Sequence, residues 1–220
     1  MRTLFKKIID PFLKKASEIY LSKPRKYQYK NIAVWVEPTV FPPFITISTK
    51  LLLEFIEPLS LKDKTFLELG CGCGIISILA AQKDAIVTAT DINEIALSAL
   101  KKNAEMNQVS IEILYSNLFE NLRRKSFDYI IINPPYYPKQ PNSVAENAWF
   151  CGENFEFFEK LFQEIPTYIT QENEIYMILS EDCELEKIQM IALHNKITFD
   201  LITKKKIALE CNFIFLLKKL

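Results

Sequence analysis

Glycine is scarce in this chain of 220 residues, which contains only 4 of them. Three of the four, Gly70, Gly72 and Gly74, alternate with other residues in a single short stretch. A chain that uses glycine so rarely places it here for backbone reasons, because glycine adopts positive φ angles and lets a ligand approach the main chain closely. An apolar run over residues 65–69 leads into the stretch, and a helical pattern from Ile75 leads out of it. The segment therefore predicts a strand, a glycine turn and a helix, which is how α/β folds present a nucleotide-like ligand.

Histidine and long apolar runs are also scarce. With one histidine in the chain, zinc ligation and a Ser-His-Asp triad are poorly supported, and we expect no metal site. No apolar run approaches the roughly 20 residues that a membrane-spanning helix needs, so we expect no membrane contact. The five cysteines are scattered, and Cys71 and Cys73 do not form a Cys-x-x-Cys pair. Lysines interrupt the N-terminal residues, so we expect no signal peptide and a cytoplasmic protein.

Charge is balanced overall but unevenly distributed. The 27 basic and 27 acidic residues give a net charge of zero, so no global basic field indicates nucleic-acid binding. Residues 1–30 are strongly basic, however, and residues 146–186 are acidic. Residues 23–30 interleave basic side chains with Tyr27 and Tyr29, which fits either an RNA-contacting arm or a polar edge strand. The neutral total favours a protein substrate, whereas the basic segment favours RNA.

Hydrophobic periodicity predicts strands that alternate with helices along most of the chain. It predicts a short N-terminal helix, a second helix over residues 11–20, a strand over 32–36 and a helix from Ser48 or Thr49 to Pro58. Further predicted strands span 64–70, 85–91, 111–117, 127–132, 174–180, 197–203 and 211–218. Predicted helices span 74–83, 93–108 and 183–195, and a long helical region lies within 144–165. This order predicts a mostly parallel sheet, helices on both faces and an antiparallel addition at one edge.

Asp91 closes the strand that follows the glycine turn. An acidic side chain about 20 residues beyond such a turn can accept hydrogen bonds from both hydroxyls of a ribose. The alternative is that Asp91 only N-caps the helix that begins near Glu94. The dinucleotide fingerprint of nicotinamide oxidoreductases would need glycine where Ile75 stands, which argues against that class.

The tetrapeptide Asn133-Pro134-Pro135-Tyr136 follows an apolar strand whose carboxyl end faces the same crevice as the glycine turn. Because proline has no backbone N–H, the Asn133 side-chain oxygen and the Pro134 carbonyl can accept hydrogen bonds from a substrate NH₂ group. Tyr136 can stack on the flat amide or base that carries this nitrogen. The alternative interpretation is a turn that only ends the strand. The tetrapeptide points to a reaction at an amino or amide nitrogen.

Together these motifs carry a family resemblance. Glu68 and the three glycines resemble motif I of the class I S-adenosylmethionine-dependent methyltransferases. Asn-Pro-Pro-Tyr resembles motif IV of those that methylate base amines or glutamine side chains. The resemblance implies a Rossmann-like fold, S-adenosylmethionine as cofactor and a planar amide or amino nitrogen as acceptor. The implied catalytic residues are Asn133, Pro134, Pro135 and Tyr136, and the implied cofactor-binding residues are Glu68, Gly70, Cys71, Gly72, Gly74, Asp91, Ile92, Asn117, Leu118, Phe41 and Thr49.

Three further segments are similar to glutamine methyltransferases, the first to those that act on release factors and the other two to the short, eukaryotic and archaeal-type enzymes. Residues 115–122 resemble a Ser-Asp-Leu-Phe segment, with Asn117 where the family has an aspartate that meets the adenine amino group. Residues 148–154 resemble an Ala-Trp-x-Gly-Gly segment, with Cys151 in place of the first glycine, although Trp149 is equally well explained as a core anchor. Residues 37–43 and 48–52 resemble the Val-Tyr-x-Pro and Asp-Thr-x-Leu-Leu entry of the short enzymes, with Ile47 or Ser48 in place of the acid.

The sequence thus predicts an α/β, Rossmann-like class I methyltransferase with a mostly parallel seven-stranded sheet, an antiparallel C-terminal edge strand and helices on both faces. We expect a basic N-terminal extension over residues 1–36 and the methyltransferase domain over residues 37–220. The preferred acceptor is a protein glutamine, on a release factor or ribosomal protein, and the alternative is an exocyclic amine of rRNA or tRNA. A small-molecule methyltransferase and a catalytically inactive scaffold with this fold are further alternatives.

Overall fold

The computed structural model describes residues 22–123, 126–207 and 210–220. Both helices predicted for the first 20 residues lie outside these ranges. A two-stranded hairpin consists of β1 (Arg25–Tyr29) and β2 (Ile32–Val36). The main sheet consists of β3 (Thr65–Leu69), β4 (Ile86–Asp91), β5 (Glu112–Tyr115), β6 (Tyr129–Ile132), β7 (Glu174–Ser180), β8 (Ile197–Ile207) and β9 (Glu210–Lys219). The helices are α1 (Ser48–Ile56), α2 (Ile75–Gln82), α3 (Glu94–Met106), α4 (Glu156–Glu164) and α5 (Leu185–His194).

The main sheet has seven strands in the order β5-β4-β3-β6-β7-β9-β8. β3 pairs in parallel with β4 and β6, and the parallel pairing continues outward to β5 and β7. β9 is the antiparallel strand, and it lies between β7 and the edge strand β8. The predicted fold class is therefore confirmed, but the C-terminal antiparallel strand was predicted at the edge, whereas β8 occupies the edge and β9 lies one place inside it. The strand order reverses direction at β3, where open α/β sheets form a crevice for ligands.

Two hydrophobic cores cover the two faces of this sheet, as a largely parallel sheet requires. Phe66 of β3 belongs to the core on the side of α1, α2, α3 and β2. The next residue, Leu67, faces the opposite side and packs in the core formed with α4 and α5. No helix in the described ranges has the length and hydropathy of a membrane span.

The hairpin β1–β2 packs against α3 through two asparagine side chains. Asn103 exchanges hydrogen bonds with the backbone of Trp35, at 2.8 and 2.9 Å, and Asn107 does the same with Ala33. These side chains therefore pair with β2 much as a third strand would. Tyr27 and Tyr29 are half-buried on the inner side of the hairpin. Of the two interpretations of residues 23–30, the structure has the strand, although it lies outside the main sheet.

The prediction of one long helical region within residues 144–165 is wrong, because the helix is interrupted. A short 3-10 helix (Val144–Ala148) comes first, and α4 begins only at Glu156. Gly152 has φ +90° and Phe155 has φ +65°, and such left-handed residues interrupt a right-handed helix. The apolar spacing ran on through this break, which is why the pattern did not reveal it.

Two of the three glycines in the turn between β3 and α2, Gly70 and Gly74, have different local surroundings. Gly70 (φ +72°) and Gly74 (φ +77°) both adopt the left-handed conformation. A Cβ atom on Gly70 would meet no atom within 4 Å, whereas one on Gly74 would lie 2.0 Å from Cδ1 of Leu100 in α3. Gly74 therefore packs the start of α2 against α3.

We expect Gly74→Ala to destabilise the fold more than Gly70→Ala does. Both variants place an alanine in the left-handed region, at a cost of about 1–2 kcal/mol. Gly74→Ala also forces the core to accommodate a clash, which adds about 1–3 kcal/mol. Urea unfolding of the two variants and the wild type measures the difference, and equal losses would contradict this role of Gly74.

Candidate functional site

A cavity of about 610 Å³ opens at the carboxyl ends of the central strands β3, β4 and β6. A volume of this size suits a cofactor-sized ligand. All the catalytic and cofactor-binding residues predicted from the sequence line it except Gly74, which packs against Leu100 instead. The fold thus brings together motifs that are up to about 100 residues apart in the chain, from Phe41 to Tyr136.

One carboxylate fixes the glycine turn beside the end of β4. Asp91 accepts hydrogen bonds from the backbone N–H of Gly72 and from that of Asn93, each at 2.9 Å. Burial raises the pKa of Asp91, and these backbone donors oppose the shift. Because a carboxylate offers about four lone-pair positions, Asp91 keeps the capacity to accept hydrogen bonds from a ligand in the cavity.

The N-cap of α3 is Asn93, so the proposal that Asp91 only caps this helix is wrong. Asn93 Oδ1 accepts the backbone N–H of Ile95 at 3.0 Å, and its Nδ2 donates to the Thr39 carbonyl at 3.1 Å. Asn93 therefore also holds the loop that carries Phe41 over the glycine turn. Sequence reasoning missed this second role, although an asparagine before a helix is a common capping signal.

Glu68 is buried at the floor of the cavity and is held by the first turn of α2. Its Oε2 accepts the backbone N–H of Ser77 at 2.9 Å, and the Ser77 hydroxyl donates to the same oxygen. Burial raises the pKa of Glu68 to about 8, even though both Ser77 hydrogen bonds favour the ionised form. The carboxyl group therefore changes charge near neutral pH.

The loop after β5 presents Asn117 and Leu118 to the cavity. Ser116 organises this loop, since its hydroxyl donates to the Leu118 carbonyl at 2.8 Å and accepts the N–H of Asn121 at 3.0 Å. Asn117 is exposed, and its Nδ2 donates to Glu120 at 3.3 Å. The Asn117 side-chain oxygen is thereby left to accept a hydrogen bond from a ligand.

Asn133 and Tyr136 line the same cavity just beyond the end of β6. Asn133 Nδ2 donates a hydrogen bond to the hydroxyl of Ser48 at 3.4 Å. The ring of Tyr136 lies 4.8 Å from that of Tyr137, and burial raises the pKa of Tyr136 well above its ordinary value. Tyr136 therefore stays a neutral phenol, suited to stacking and hydrogen bonding.

Residues 137–152 form a loop, here called the acceptor loop, that closes on itself. Tyr137 donates its N–H to the Trp149 carbonyl at 3.1 Å, and the Tyr137 carbonyl accepts from Cys151 at 3.0 Å. Trp149 lines the cavity, where its ring lies 4.8 Å from that of Phe41. The acceptor loop thus reaches the loop above the glycine turn. Sequence reasoning missed Tyr137, which carries no motif signal beyond its neighbour Tyr136.

These residues suit S-adenosylmethionine. Gly70 leaves open space where any other residue would place a Cβ atom, so a ligand can approach the backbone there. Asp91 can hold a ribose and Glu68 can meet an amino group, while Phe41, Leu118 and Ile92 offer apolar surface to a base. When bound, the cofactor supplies an electrophilic methyl group on a positively charged sulfur.

The raised pKa of Glu68 makes stability depend on pH. Between about pH 5 and pH 8 the unfolded chain ionises this group while the native chain keeps it protonated, so stability falls as pH rises. Glu68→Gln removes this effect. We expect the variant to match the wild type near pH 5 and to gain about 1 kcal/mol per pH unit toward pH 8, where the gain levels off.

Urea unfolding at several pH values measures this gain. Asp128→Asn is the control, because hydrogen bonds from Thr65 lower the pKa of Asp128 to about 2 and its difference from the wild type stays constant over the same range. A Glu68→Gln difference that is equally constant would contradict the assignment.

Comparison with known proteins supports the assignment of the fold and the cofactor. A family model described as the methyltransferase small domain matches residues 31–196. A Methanocaldococcus jannaschii protein, named as a candidate protein N5-glutamine methyltransferase, is 33% identical over 159 residues, which are 70% of this chain and 78% of that protein. A ribosomal RNA small subunit methyltransferase C of Haemophilus influenzae is 35% identical over 172 residues, or 71% of this chain. The match spans 51% of that longer relative.

Solved structures share the fold at low sequence identity. The E. cuniculi Mtq2–Trm112 complex, which methylates the eRF1 translation termination factor, aligns with a TM-score of 0.63 and 19% identity over 82% of this chain and 99% of that one. A T. thermophilus 16S rRNA methyltransferase in complex with S-adenosylmethionine and guanosine aligns with a TM-score of 0.62 and 18% identity, over 88% of this chain and 50% of that one. The chain belongs to the methyltransferase small domain family and is an S-adenosylmethionine-dependent methyltransferase.

Proposed function

We propose that this methyltransferase acts on the side-chain amide nitrogen of a protein glutamine. The observation that carries the proposal is the position of Asn133, Pro134 and Tyr136, which line the same cavity as Asp91 and the glycine turn. Two oxygen acceptors and an aromatic ring beside the cofactor residues suit a flat group with an NH₂ end. A scaffold without activity would have no need of this set.

The catalytic task of these residues is orientation. The Asn133 side-chain oxygen and the Pro134 carbonyl accept hydrogen bonds from the two N–H groups of the acceptor, which directs its nitrogen toward the methyl group. The new N–C bond forms as the C–S bond breaks, sulfur keeps the electron pair, and the nitrogen afterwards loses a proton to solvent. Since the sulfur leaves as a neutral thioether, the chain needs no general acid.

Negative charge around the acceptor side favours a protein over RNA. Tyr137 has a raised pKa, mainly because of burial, and the charges of Asp182 and Glu210 add to the shift. Asp182, with Glu181 and Glu184, is exposed, and none of these three forms an ion pair within the described ranges. Carboxylates at this position repel the phosphates of RNA and attract basic protein segments. They also fit the acidic character of residues 146–186.

An exocyclic amine of rRNA is the second candidate acceptor. The Haemophilus influenzae relative, an rRNA methyltransferase by name, supports this alternative. The residues that would orient the nitrogen are the same for either acceptor, so the alternatives differ in what the surface around the cavity attracts. With either acceptor, we place the reaction in the cytoplasm, where release factors and ribosomes act.

Transfer of a labelled methyl group tests the proposal. S-adenosylmethionine with a tritiated methyl group is incubated with the chain and a cell lysate, which is then separated into protein, RNA and small molecules. We expect label in protein, released by strong acid hydrolysis as methylammonium and collected as volatile methylamine after addition of base, because an N-methyl amide hydrolyses in that way and methyllysine does not. Label only in RNA would establish the alternative, and label only in small molecules would refute both.

Asn133→Ala provides the matching test of the site. We expect it to slow transfer about 100-fold, because the acceptor loses its orientation, while affinity for S-adenosylhomocysteine stays the same. Asn31→Ala is the control, since Asn31 lies on the hairpin turn and contacts Gln82. Full activity in Asn133→Ala would contradict the proposed role.

A further inference from the structure

Ser48 is a buried hydroxyl directly behind the amide of Asn133. It is the first residue of α1, and only 4% of its surface is exposed. Its Oγ lies 3.4 Å from Asn133 Nδ2, which donates to it, and 3.2 Å from Oγ1 of Thr46. Asn133 lines the cavity, whereas Ser48 and Thr46 do not. The three side chains thus form a polar chain that starts behind the cavity and ends in it.

The amide of Asn133 is useful to an acceptor NH₂ group in only one of its two orientations. A carboxamide has nearly the same shape at both ends, but one end only accepts hydrogen bonds and the other only donates them. Rotated by half a turn, Asn133 would direct its own NH₂ group at the NH₂ group of the acceptor. A serine hydroxyl can donate or accept, so a lone Ser48 would be compatible with both orientations.

We propose that Thr46 and Ser48 fix the polarity of the Asn133 amide. In the proposed arrangement, Ser48 donates its hydrogen to Thr46 Oγ1, which is one of the two directions that this contact allows, and accepts a hydrogen bond from Asn133 Nδ2. With its hydrogen engaged, Ser48 has none left for the oxygen of a rotated amide. The Asn133 oxygen therefore faces the cavity. This inference rests on the proposed role of Asn133 as the residue that orients the acceptor, and it makes Ser48 and Thr46 positioning residues.

The inference explains why α1 must begin where it does. The loop that contains Thr46 and the first turn of α1 lies far in sequence from Asn133, yet it contacts the Asn133 amide through Ser48. Thr49, the next residue of α1, is buried and lines the cavity itself. One helical turn thus contributes both to the cofactor side and to the support behind the acceptor side.

Variants of the full chain test the polarity. Ser48→Ala removes the hydroxyl, Ser48→Thr keeps it, and Thr46→Val removes only the partner that engages the serine hydrogen. We expect Ser48→Ala to lower kcat about fivefold, the equivalent of one hydrogen bond, with KM and affinity for S-adenosylhomocysteine nearly unchanged. Ser48→Thr retains the wild-type rate, and Thr46→Val shows a smaller loss than Ser48→Ala. The acceptor is whichever lysate fraction the wild type labels.

Side-chain amide signals in nitrogen-15 NMR spectra give a readout that is independent of activity. The Asn133 NH₂ signals are assigned by their disappearance in Asn133→Ala, with those of Asn31 as the reference. We expect Ser48→Ala and Thr46→Val to shift or broaden the Asn133 signals only, while urea unfolding shows that the variants remain folded.

Several results would overturn the inference. These are an unchanged kcat in Ser48→Ala, a loss explained entirely by weaker S-adenosylhomocysteine binding, a Ser48→Thr variant as slow as Ser48→Ala, or unmoved Asn133 signals. Failure of the glutamine proposal is separate, because it is detected by the wild type labelling RNA or small molecules instead of protein. In that case, the kcat values of the Ser48 variants are compared with the labelled RNA or small molecule as acceptor, because any NH₂ group needs the same orientation of the Asn133 amide.

Discussion

The hydrogen bonds of the Asp91 carboxylate are the interaction on which the cofactor side of the cavity depends. One oxygen binds the backbone N–H of Gly72 and the other that of Asn93. Asn93 in turn caps α3 and holds the Thr39 carbonyl. A single charged group therefore keeps the end of β4, the glycine turn, the start of α3 and the loop of Phe41 in fixed relation. Loss of this charge would loosen four segments at once.

The segment that precedes the main sheet links the glycine turn to Asn133. A Cβ atom on Gly72 would lie 3.9 Å from that of Phe41, and the Phe41 ring lies 4.8 Å from that of Trp149 in the acceptor loop. A few residues later, Ser48 contacts the Asn133 amide. The same short stretch of chain therefore connects the proposed cofactor site with the proposed acceptor site, and it is itself anchored to α3 through the hairpin and Asn103.

Local sequence patterns were sufficient to predict the central strands and helices and the motifs that follow them. Alternating periodicities and the glycine cluster predicted β3, the turn and α2, and strand ends predicted the positions of Asp91 and Asn133 in one crevice. The break before α4 was not predictable, because Gly152 and Phe155 interrupt the helix through backbone conformation and leave the apolar spacing intact. The contact of Ser48 with Asn133 and the packing of Gly74 on Leu100 depend on tertiary proximity, which a local pattern does not carry.

A crystal structure with S-adenosylhomocysteine and L-glutamine bound tests the central claim most directly. The account predicts ribose hydroxyls within hydrogen-bond distance of Asp91, and a glutamine side-chain nitrogen within hydrogen-bond distance of the Asn133 side-chain oxygen and the Pro134 carbonyl. The ring of Tyr136 should lie against the flat amide. A cofactor bound away from Asp91, or an ordered glutamine whose amide nitrogen faces neither acceptor, would contradict it.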